Sequence, residues 1–256
     1  MACSRRDLLK KSASLALGAI LPVGAIKLLS PAKARAAIDD PKVRWVFLID
    51  IQKCVGCGFC VRACKLENDV PCDVPVTRTW VERYVNTKDG ISHIDTPLGG
   101  RDGYTTPEIQ GEKIDPTKID KAFFVPKLCN QCANPPCVQV CPVGATFQTL
   151  DGVSLVDRTW CIGCGYCIMA CPYGARFFHP VYKVADKCTF CYNRITNGMK
   201  PACVQACPFG ARQLGNLKDP DDPVAQIIAT QRVGVLKDEY GTRPQAFYIG
   251  LDESVR

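Results

Sequence analysis

Short apolar runs alternate with long polar and turn-rich stretches along this 256-residue chain. Five of the runs have the length and composition of β-strands, and they cover residues 45–49, 123–125, 153–156, 176–178 and 247–249. Residues 61–66 and 224–231 have the pattern of short helices. Residues 86–120 are polar and show no period, so we expect a long loop or insertion there, facing a partner or carrying a function.

The first 36 residues form a separate pattern of basic, then apolar, then small residues. Arg5 and Arg6 stand near the start, an apolar stretch covers residues 13–29, and residues 34–36 read Ala-Arg-Ala. This order is typical of a cleaved secretory signal, and the paired arginines resemble the twin-arginine class. An N-terminal membrane anchor is the alternative, although a proline and a lysine interrupt the apolar stretch. We predict a twin-arginine signal over residues 1–36 and a mature protein on the periplasmic side of the cytoplasmic membrane.

The formal charge of +7 comes almost entirely from this N-terminal segment. Without its seven basic residues and one acidic residue, the chain has 25 basic and 24 acidic residues. Nucleic-acid binding therefore has no electrostatic support. Beyond residue 36 no apolar run approaches the roughly 20 residues that a spanning helix needs, so we expect contact with the membrane through partner subunits only.

Sixteen of the 18 cysteines fall into four groups of four. The groups are Cys54, Cys57, Cys60 and Cys64; Cys129, Cys132, Cys137 and Cys141; Cys161, Cys164, Cys167 and Cys171; and Cys188, Cys191, Cys203 and Cys207. Groups one and three have the spacing C-x2-C-x2-C-x3-C, with which bacterial-type ferredoxins hold [4Fe–4S] clusters. No group lacks a cysteine, so all four sites can hold a four-iron cluster rather than a three-iron one.

The cysteine groups repeat within the chain. The segment 50–64 matches 157–171 at every cysteine, the leading Asp, both glycines, an aromatic residue and an alanine, and the block C-V-Q-x-C-P-x-G-A occurs at 137–145 and again at 203–211. Such self-similarity indicates duplicated structural units. A disulfide framework would be the alternative in an exported protein, but it gives no reason to repeat Gly, Pro and Ala around each cysteine.

Structural zinc is the other alternative for closely spaced cysteines. Zinc sites need only four closed ligands and do not require the compact ferredoxin spacing followed by proline, so the pattern favours iron–sulfur clusters. Pro142, Pro172 and Pro208 each follow the last cysteine of a group, whereas Lys65 stands there in the first group. Four glycines of the motifs are expected to adopt positive φ and let backbone N–H groups approach the sulfurs; they are Gly56, Gly58, Gly163 and Gly165.

The remaining candidate side chains have modest predicted roles. Cys3 lies in the predicted signal, and Cys72 is expected to be a loop thiol because the four sites already have four ligands each. His179 is expected to be structural, and His93 lies in the long loop. Three aromatic residues are expected to shield clusters from water, namely Phe59, Trp160 and Tyr166. Six basic residues lie near cysteines, and they are Lys53, Arg62, Lys65, Lys127, Lys187 and Arg194. A solvated surface position is the default for each, and the alternative is that they raise cluster potentials electrostatically or dock partners.

Nearly the whole mature chain resembles the iron–sulfur subunit of the dimethyl sulfoxide reductase family. The resemblance rests on the four groups, Asn134-Pro-Pro-Cys137, the long gap from Cys191 to Cys203, and the sequence G-x-L-K-D-P from residue 215. It implies an α+β fold of two duplicated ferredoxin-like modules with long loops. Residues 37–128 and 181–256 would form the module with groups one and four, and residues 129–180 the nested module with groups two and three.

The resemblance also implies how the cysteines are shared, since in two-cluster ferredoxins the last cysteine of one motif binds the other cluster. Site one would consist of Cys54, Cys57, Cys60 and Cys207, and site two of Cys129, Cys132, Cys137 and Cys171. Site three would consist of Cys161, Cys164, Cys167 and Cys141, and site four of Cys188, Cys191, Cys203 and Cys64. Each would bind one [4Fe–4S] cluster through its four thiolates.

The function that follows is electron transfer without substrate chemistry, because the sequence offers no nucleophile–base pair, phosphate loop or open metal site. We expect an electron-transfer subunit that links a catalytic oxidoreductase subunit, often a molybdopterin enzyme in this family, to a quinone-reactive integral membrane subunit or a multihaem cytochrome. The alternatives are the same kind of subunit in a quinone reductase complex fed by multihaem cytochromes without a molybdenum enzyme, a soluble ferredoxin-like shuttle, and a structural zinc protein.

Overall fold

A computed structural model describes residues 40–255. The predicted signal and Cys3 lie outside these described residues. The strands are β1 (Trp45–Asp50), β2 (Thr79–Thr87), β3 (Ser92–Asp95), β4 (Ile119–Leu128), β5 (Thr146–Gln148), β6 (Ser154–Val156), β7 (Arg176–Phe178), β8 (Ala185–Lys187), β9 (Arg212–Asn216), β10 (Val233–Gly234) and β11 (Ala246–Ile249). The α-helices are α1 (Phe59–Glu67), α2 (Pro136–Gln139), α3 (Tyr166–Met169), α4 (Tyr192–Ile195), α5 (Ala202–Gln205) and α6 (Pro223–Thr230). Short 3-10 helices cover Ile51–Lys53, Pro97–Gly100, Pro116–Lys118 and Asp238–Tyr240.

Strand β1 lies inside a four-stranded sheet of order β10-β11-β1-β9. It pairs parallel with β11 and antiparallel with β9. Phe47 and Ile49 contribute to the main core, whereas Val46 and Leu48 pack in a second core with Val224 of α6. Burial on both faces explains why β1 is an unbroken apolar run in the sequence. The sheet also joins the two ends of the described chain, one bearing the first cysteine group and the other following the fourth.

Helix α1 begins directly after the first two cysteines of group one. Gly58 is its N-cap residue, with φ of 76°, and only glycine adopts this left-handed conformation without strain. At the other end, the carbonyl of Cys64 accepts from the backbone N–H of Asn68 at 3.1 Å and from its Nδ2 at 2.9 Å. Helix α6 begins differently, because the carboxylate of Asp222 accepts from the backbone N–H of Val224 at 2.8 Å.

Two further small sheets accompany the second and third cysteine groups. The hairpin β5–β6 follows α2, and the hairpin β7–β8 follows α3. The sequence-predicted strands and helices are confirmed, since each of the seven segments overlaps an observed element of the predicted type.

The prediction of a long loop or insertion over residues 86–120 is wrong for the part of the segment that forms a strand. Strand β3 lies within this segment and pairs antiparallel with β2, which in turn pairs with β4 in a sheet of order β3-β2-β4. Tyr84 and Val125, on the two longest strands, are buried in the main core. Hairpin pairing with β2 therefore holds part of the segment against this sheet, and its polar remainder lies outside the sheet.

Candidate iron–sulfur sites

Every cysteine in the described range is a free thiol. The disulfide alternative is therefore wrong for residues 40–255. The same part of the chain contains no group of three Cys, His, Asp or Glu side chains arranged to hold a single metal ion.

Site four has all four of its cysteines around one cavity. Cys64, Cys188, Cys191 and Cys203 line one pocket, together with Phe190 and other residues. Burial raises the pKa of Cys64 well above its usual value, and the three other thiols raise it further because they are close enough to repel its thiolate. Four thiols that face one buried cavity fit a cluster, since cluster iron takes the place of the protons.

The cysteines of site two are also neighbours of one another. Burial raises the pKa of Cys132 to about 12, and the neighbouring thiols Cys129, Cys137 and Cys171 act in the same direction. A guanidinium N–H of Arg176 donates to the Sγ of Cys137 at 3.0 Å. The site therefore collects thiols from two separate cysteine groups, as a shared-ligand arrangement requires.

Sites one and three are more open. Burial raises the pKa of Cys54 to about 11, and nearby Cys60 and Cys207 also raise it. In site three, Cys164 is exposed while Cys141 and Cys161 are half-buried. Burial acts to raise the pKa of Cys141, but backbone N–H groups, including that of Thr146 at 3.4 Å from the sulfur, outweigh it and lower the pKa.

Electrostatic interactions between charged side chains and cysteines indicate which of the implied sites are adjacent. Arg212 interacts with Cys54 and Cys60 of site one and with Cys203 of site four. Cys188 of site four has Cys129 of site two as a neighbour. Arg176 interacts with Cys137 of site two and with Cys167 of site three. These interactions link the cysteines of the implied sites in the order one, four, two, three.

Glycines give the loops around the sulfurs their shape. The predicted positive φ is confirmed at Gly56, Gly58, Gly163 and Gly165, with values of 69°, 76°, 71° and 80°. The repeated block after the last cysteine of a group turns in the same way, with φ of 66°, 61° and 64° at Gly144, Gly174 and Gly210. The repeats in the sequence are thus repeats of backbone conformation.

Comparisons with known proteins identify the sites. Two family models, each described as a 4Fe-4S dicluster domain, match residues 53–145 and 120–217. A tetrathionate reductase subunit of Salmonella typhimurium is 38% identical over 99% of this chain and 91% of its own length. A protein of the same name from Archaeoglobus fulgidus is 44% identical over 81% of this chain and 83% of its own. A selenate reductase subunit of Mesobacillus selenatarsenatis is 34% identical over 84% and 75%.

The chain belongs to the iron–sulfur subunits of the dimethyl sulfoxide reductase family. Members of this family are iron–sulfur subunits of reductase complexes, and the chain transfers electrons through [4Fe–4S] clusters. The family models thereby decide against the zinc alternative.

Several side chains that were expected to be solvated are buried in this iron–sulfur subunit. Lys65, Lys127 and Lys187 are 2%, 5% and 0% exposed. The Lys65 ammonium donates to two backbone carbonyls, and the Lys127 ammonium pairs with Glu82 at 2.7 Å. By contrast, Lys53 and Arg194 pair with carboxylates nearer the surface. The default of a solvated charge is wrong for the three buried lysines.

Sequence reasoning missed Arg176 and Arg212, which are 4% and 2% exposed. A signal for them existed, because each arginine directly follows a C-P-x-G-A block, at 171–175 and at 207–211. A charged residue that repeats with the cysteine motif is expected to face the same kind of site in both modules.

The other predictions have mixed outcomes. Cys72 is exposed in a turn, as expected for a loop thiol. His179 is fully buried at the end of β7, and burial lowers its pKa, which fits a structural role. His93 lies in β3 rather than in a loop. Phe59, Trp160 and Tyr166 are 47%, 68% and 58% exposed, so within this chain they do not exclude water from the clusters.

Proposed function

We propose that the chain is the non-catalytic electron-transfer subunit of an exported reductase complex, with one [4Fe–4S] cluster at each of the four sites. The observation that carries this proposal is the order of the sites, in which the two sites with the more buried cysteines stand between two more open ones. Bound clusters supply one-electron redox chemistry. The chain's own residues hold and separate the clusters, and they exclude water from the inner two.

The surfaces around the outer sites support two docking partners. Trp160, Ile162, Tyr166 and Met169 are exposed beside the cysteines of site three. At the other end, Val55, Phe59 and Phe209 are exposed beside site one. Exposed apolar residues in patches mark protein-binding surfaces. We assign one end to a catalytic subunit and the other to a quinone-reactive membrane subunit or a cytochrome.

The location and partners follow from the N-terminal sequence and from the names of the relatives. The arginine pair in residues 1–36 supports twin-arginine export, which transfers proteins that already hold their cofactors. The described residues include no helix that is long and apolar enough to cross a membrane, and we propose attachment through partners. Because two relatives are named for tetrathionate and one for selenate, we propose an oxyanion reductase that contains a molybdopterin as the catalytic partner.

Iron analysis of the purified chain tests the sites. We expect about sixteen iron atoms and sixteen acid-labile sulfides per chain, as four cubane clusters require. Cys137→Ser should remove or convert the site-two cluster and interrupt electron flow, because Cys137 lies among the site-two thiols. Cys72→Ser is the matched control and should change neither quantity. Unchanged iron and turnover in Cys137→Ser would overturn the ligand assignment.

Purification of the native complex tests the partners. We expect a large subunit with molybdenum or tungsten, together with an integral membrane subunit. Multihaem cytochromes without either metal would favour the quinone reductase alternative, and a chain that purifies alone with full iron would favour the soluble shuttle. Replacing both Arg5 and Arg6 with lysine should leave the protein in the cytoplasm with its clusters. Normal export of that variant would contradict the twin-arginine route.

A further inference from the structure

The Arg212 side chain is buried between two sites without an ordinary partner. It lies at the start of β9, is 2% exposed, and its Nη1 and Nη2 atoms have no hydrogen-bond partner among the described residues. A buried guanidinium without an anion is strongly destabilising. The ionisable groups that act on it are Cys54 and Cys60 on one side and Cys203 on the other, together with the Tyr248 hydroxyl. The cysteine sulfurs carry negative charge when they bind a cluster. Its position is therefore explained by negative charge at sites one and four.

Arg176 occupies the equivalent position in the other pair of sites. Its Nη2 donates to the Sγ of Cys137 at 3.0 Å, and its Nη1 lies 3.3 Å from the hydroxyl oxygen of Thr146. Its charge also acts on Cys129 of site two and on Cys167 of site three. The same C-P-x-G-A block precedes both arginines, so the duplication has placed a guanidinium between the two sites of each pair.

Lys187 lies at the remaining junction, between sites four and two. Its side chain is fully buried, and its ammonium donates to the carbonyl of Cys188 at 3.0 Å and to the carbonyl of Ser154. The charge of Lys187 also reaches Cys137 of site two. Each of the three junctions along the row of sites therefore contains one buried cation.

We propose that Arg212, Lys187 and Arg176 are tuning residues that raise the reduction potentials of the clusters on both sides of each junction. This inference rests on the proposed ligand sets. A loaded site with four thiolates has a net charge of roughly −2, and one-electron reduction adds a further negative charge. A buried cation favours the reduced state because the low dielectric of the interior strengthens the attraction.

A redox titration of the purified holo-chain tests the inference. A chemical reductant sets the potential, and electron paramagnetic resonance measures the reduced clusters. We expect R212Q to lower the potentials of the clusters at sites one and four, and R176Q those at sites two and three. The expected change is at least tenfold in the ratio of oxidised to reduced cluster at a fixed potential, which is about 59 mV for a one-electron couple. R212K and R176K keep the charge, so their cluster potentials should stay close to those of the wild type. K187M should lower the potentials at sites four and two.

Arg83→Gln is the matched control, since Arg83 is also buried but pairs with Asp95 at 2.7 Å. It should leave all four potentials unchanged. Full iron with unshifted potentials in R212Q and R176Q would overturn the inference. If one of these glutamine variants loses iron, the lysine variant at the same position and the glutamine variant of the other arginine provide the test. A shift of the potentials in the lysine variants as large as in the glutamine variants would also overturn the inference. A wild-type chain without four clusters would instead refute the proposed function.

Discussion

The Gln131 Nε2 donates a hydrogen bond to the carbonyl oxygen of Cys188 across 2.7 Å. This contact joins the second cysteine group to the fourth. The Oε1 atom of the same side chain accepts from the backbone N–H of Ser154 at 2.8 Å, so one buried amide also holds β6 in place. The contact lies where sites four and two approach each other, and it holds the segment of the second cysteine group against the segment of the fourth.

Gln131→Ala should destabilise the protein by about 1–3 kcal/mol, because the buried N–H of Ser154 loses its acceptor. Thermal unfolding of the holo-protein under anaerobic conditions measures the effect. Gln139→Ala is a suitable control, since the Gln139 amide bonds Asn134 at an exposed position and its loss should cost within about 0.5 kcal/mol. Equal melting temperatures for the two variants would show that the packing of the second cysteine group against the fourth does not depend on Gln131.

The sequence predicts the parts of the fold that have a local cause. An apolar run buried on both faces indicates β1, and the glycine-containing cysteine motif indicates α1. Strand β2 was missed, although its register with β4 extends from Thr79 opposite Leu128 to Thr87 opposite Ile119. Its pairing depends on a strand about forty residues away in the sequence, and the polar residues between the two strands give no local pattern from which the pairing can be predicted.

The same reasoning applies to the candidate sites. The spacing of the cysteines predicts which residues are ligands, because each motif is local. The two buried arginines were not predicted, because their neighbours come from other segments: Arg176 and Cys137 are 39 residues apart. Burial of a charge is decided by what the folded chain places around it, and here that is a set of thiolates.

Gly58→Ala should destabilise the protein more than replacement of another left-handed glycine. A Cβ atom at Gly58 would lie 2.3 Å from the carbonyl oxygen of Arg101 and 2.4 Å from that of Gly100. Both are backbone atoms, so the loop 97–101 or the start of α1 must shift. The left-handed conformation alone costs roughly 1–2 kcal/mol for a non-glycine residue, and we expect a clearly larger loss together with reduced iron at site one.

Gly210→Ala is the control for this prediction. Gly210 has φ of 64° but no atom within 4 Å of the position of a Cβ. Its replacement should cost only the conformational strain, roughly 1–2 kcal/mol, and should leave the iron content unchanged. Similar melting temperatures for the two variants would indicate that the contact with residues 100 and 101 adapts without cost.

Asp186→Asn should be strongly destabilising because it leaves the buried Arg78 without its counter-charge. The Arg78 Nε donates to Asp186 Oδ2 at 3.0 Å, and Nη2 lies 2.8 Å from Oδ1. Breaking one partner of a buried pair costs about 3–5 kcal/mol. Chemical denaturation of the holo-protein measures the loss, and Arg78→Met combined with Asp186→Leu should recover much of it. A double variant no more stable than Asp186→Asn would mean that the ion pair itself, not the unpaired charge, determines the effect.

Removal of the clusters should abolish the cooperative unfolding transition. Several ligands, among them Cys60, Cys129, Cys188 and Cys203, belong to the main hydrophobic core, and Arg212 needs an anion beside it. Binding free energy of the clusters is therefore folding free energy. Calorimetry of the holo-protein and of chelator-treated protein measures this dependence, with Cys72→Ser treated in parallel as the control. Chelator-treated protein that keeps the holo melting temperature would contradict it.

The stability of the clusters should also depend on pH, with a sign fixed by the thiols. In the metal-free chain, burial raises the pKa of Cys54 to about 11 and that of Cys132 to about 12, so both thiols are protonated at neutral pH. Each must lose its proton to bind iron, and acid therefore favours the metal-free state, by up to tenfold per thiol for each unit of pH. We expect iron release to a chelator to increase as the pH falls from the alkaline to the mildly acidic range. Release that is independent of pH would contradict protonation of the thiols as the competing reaction.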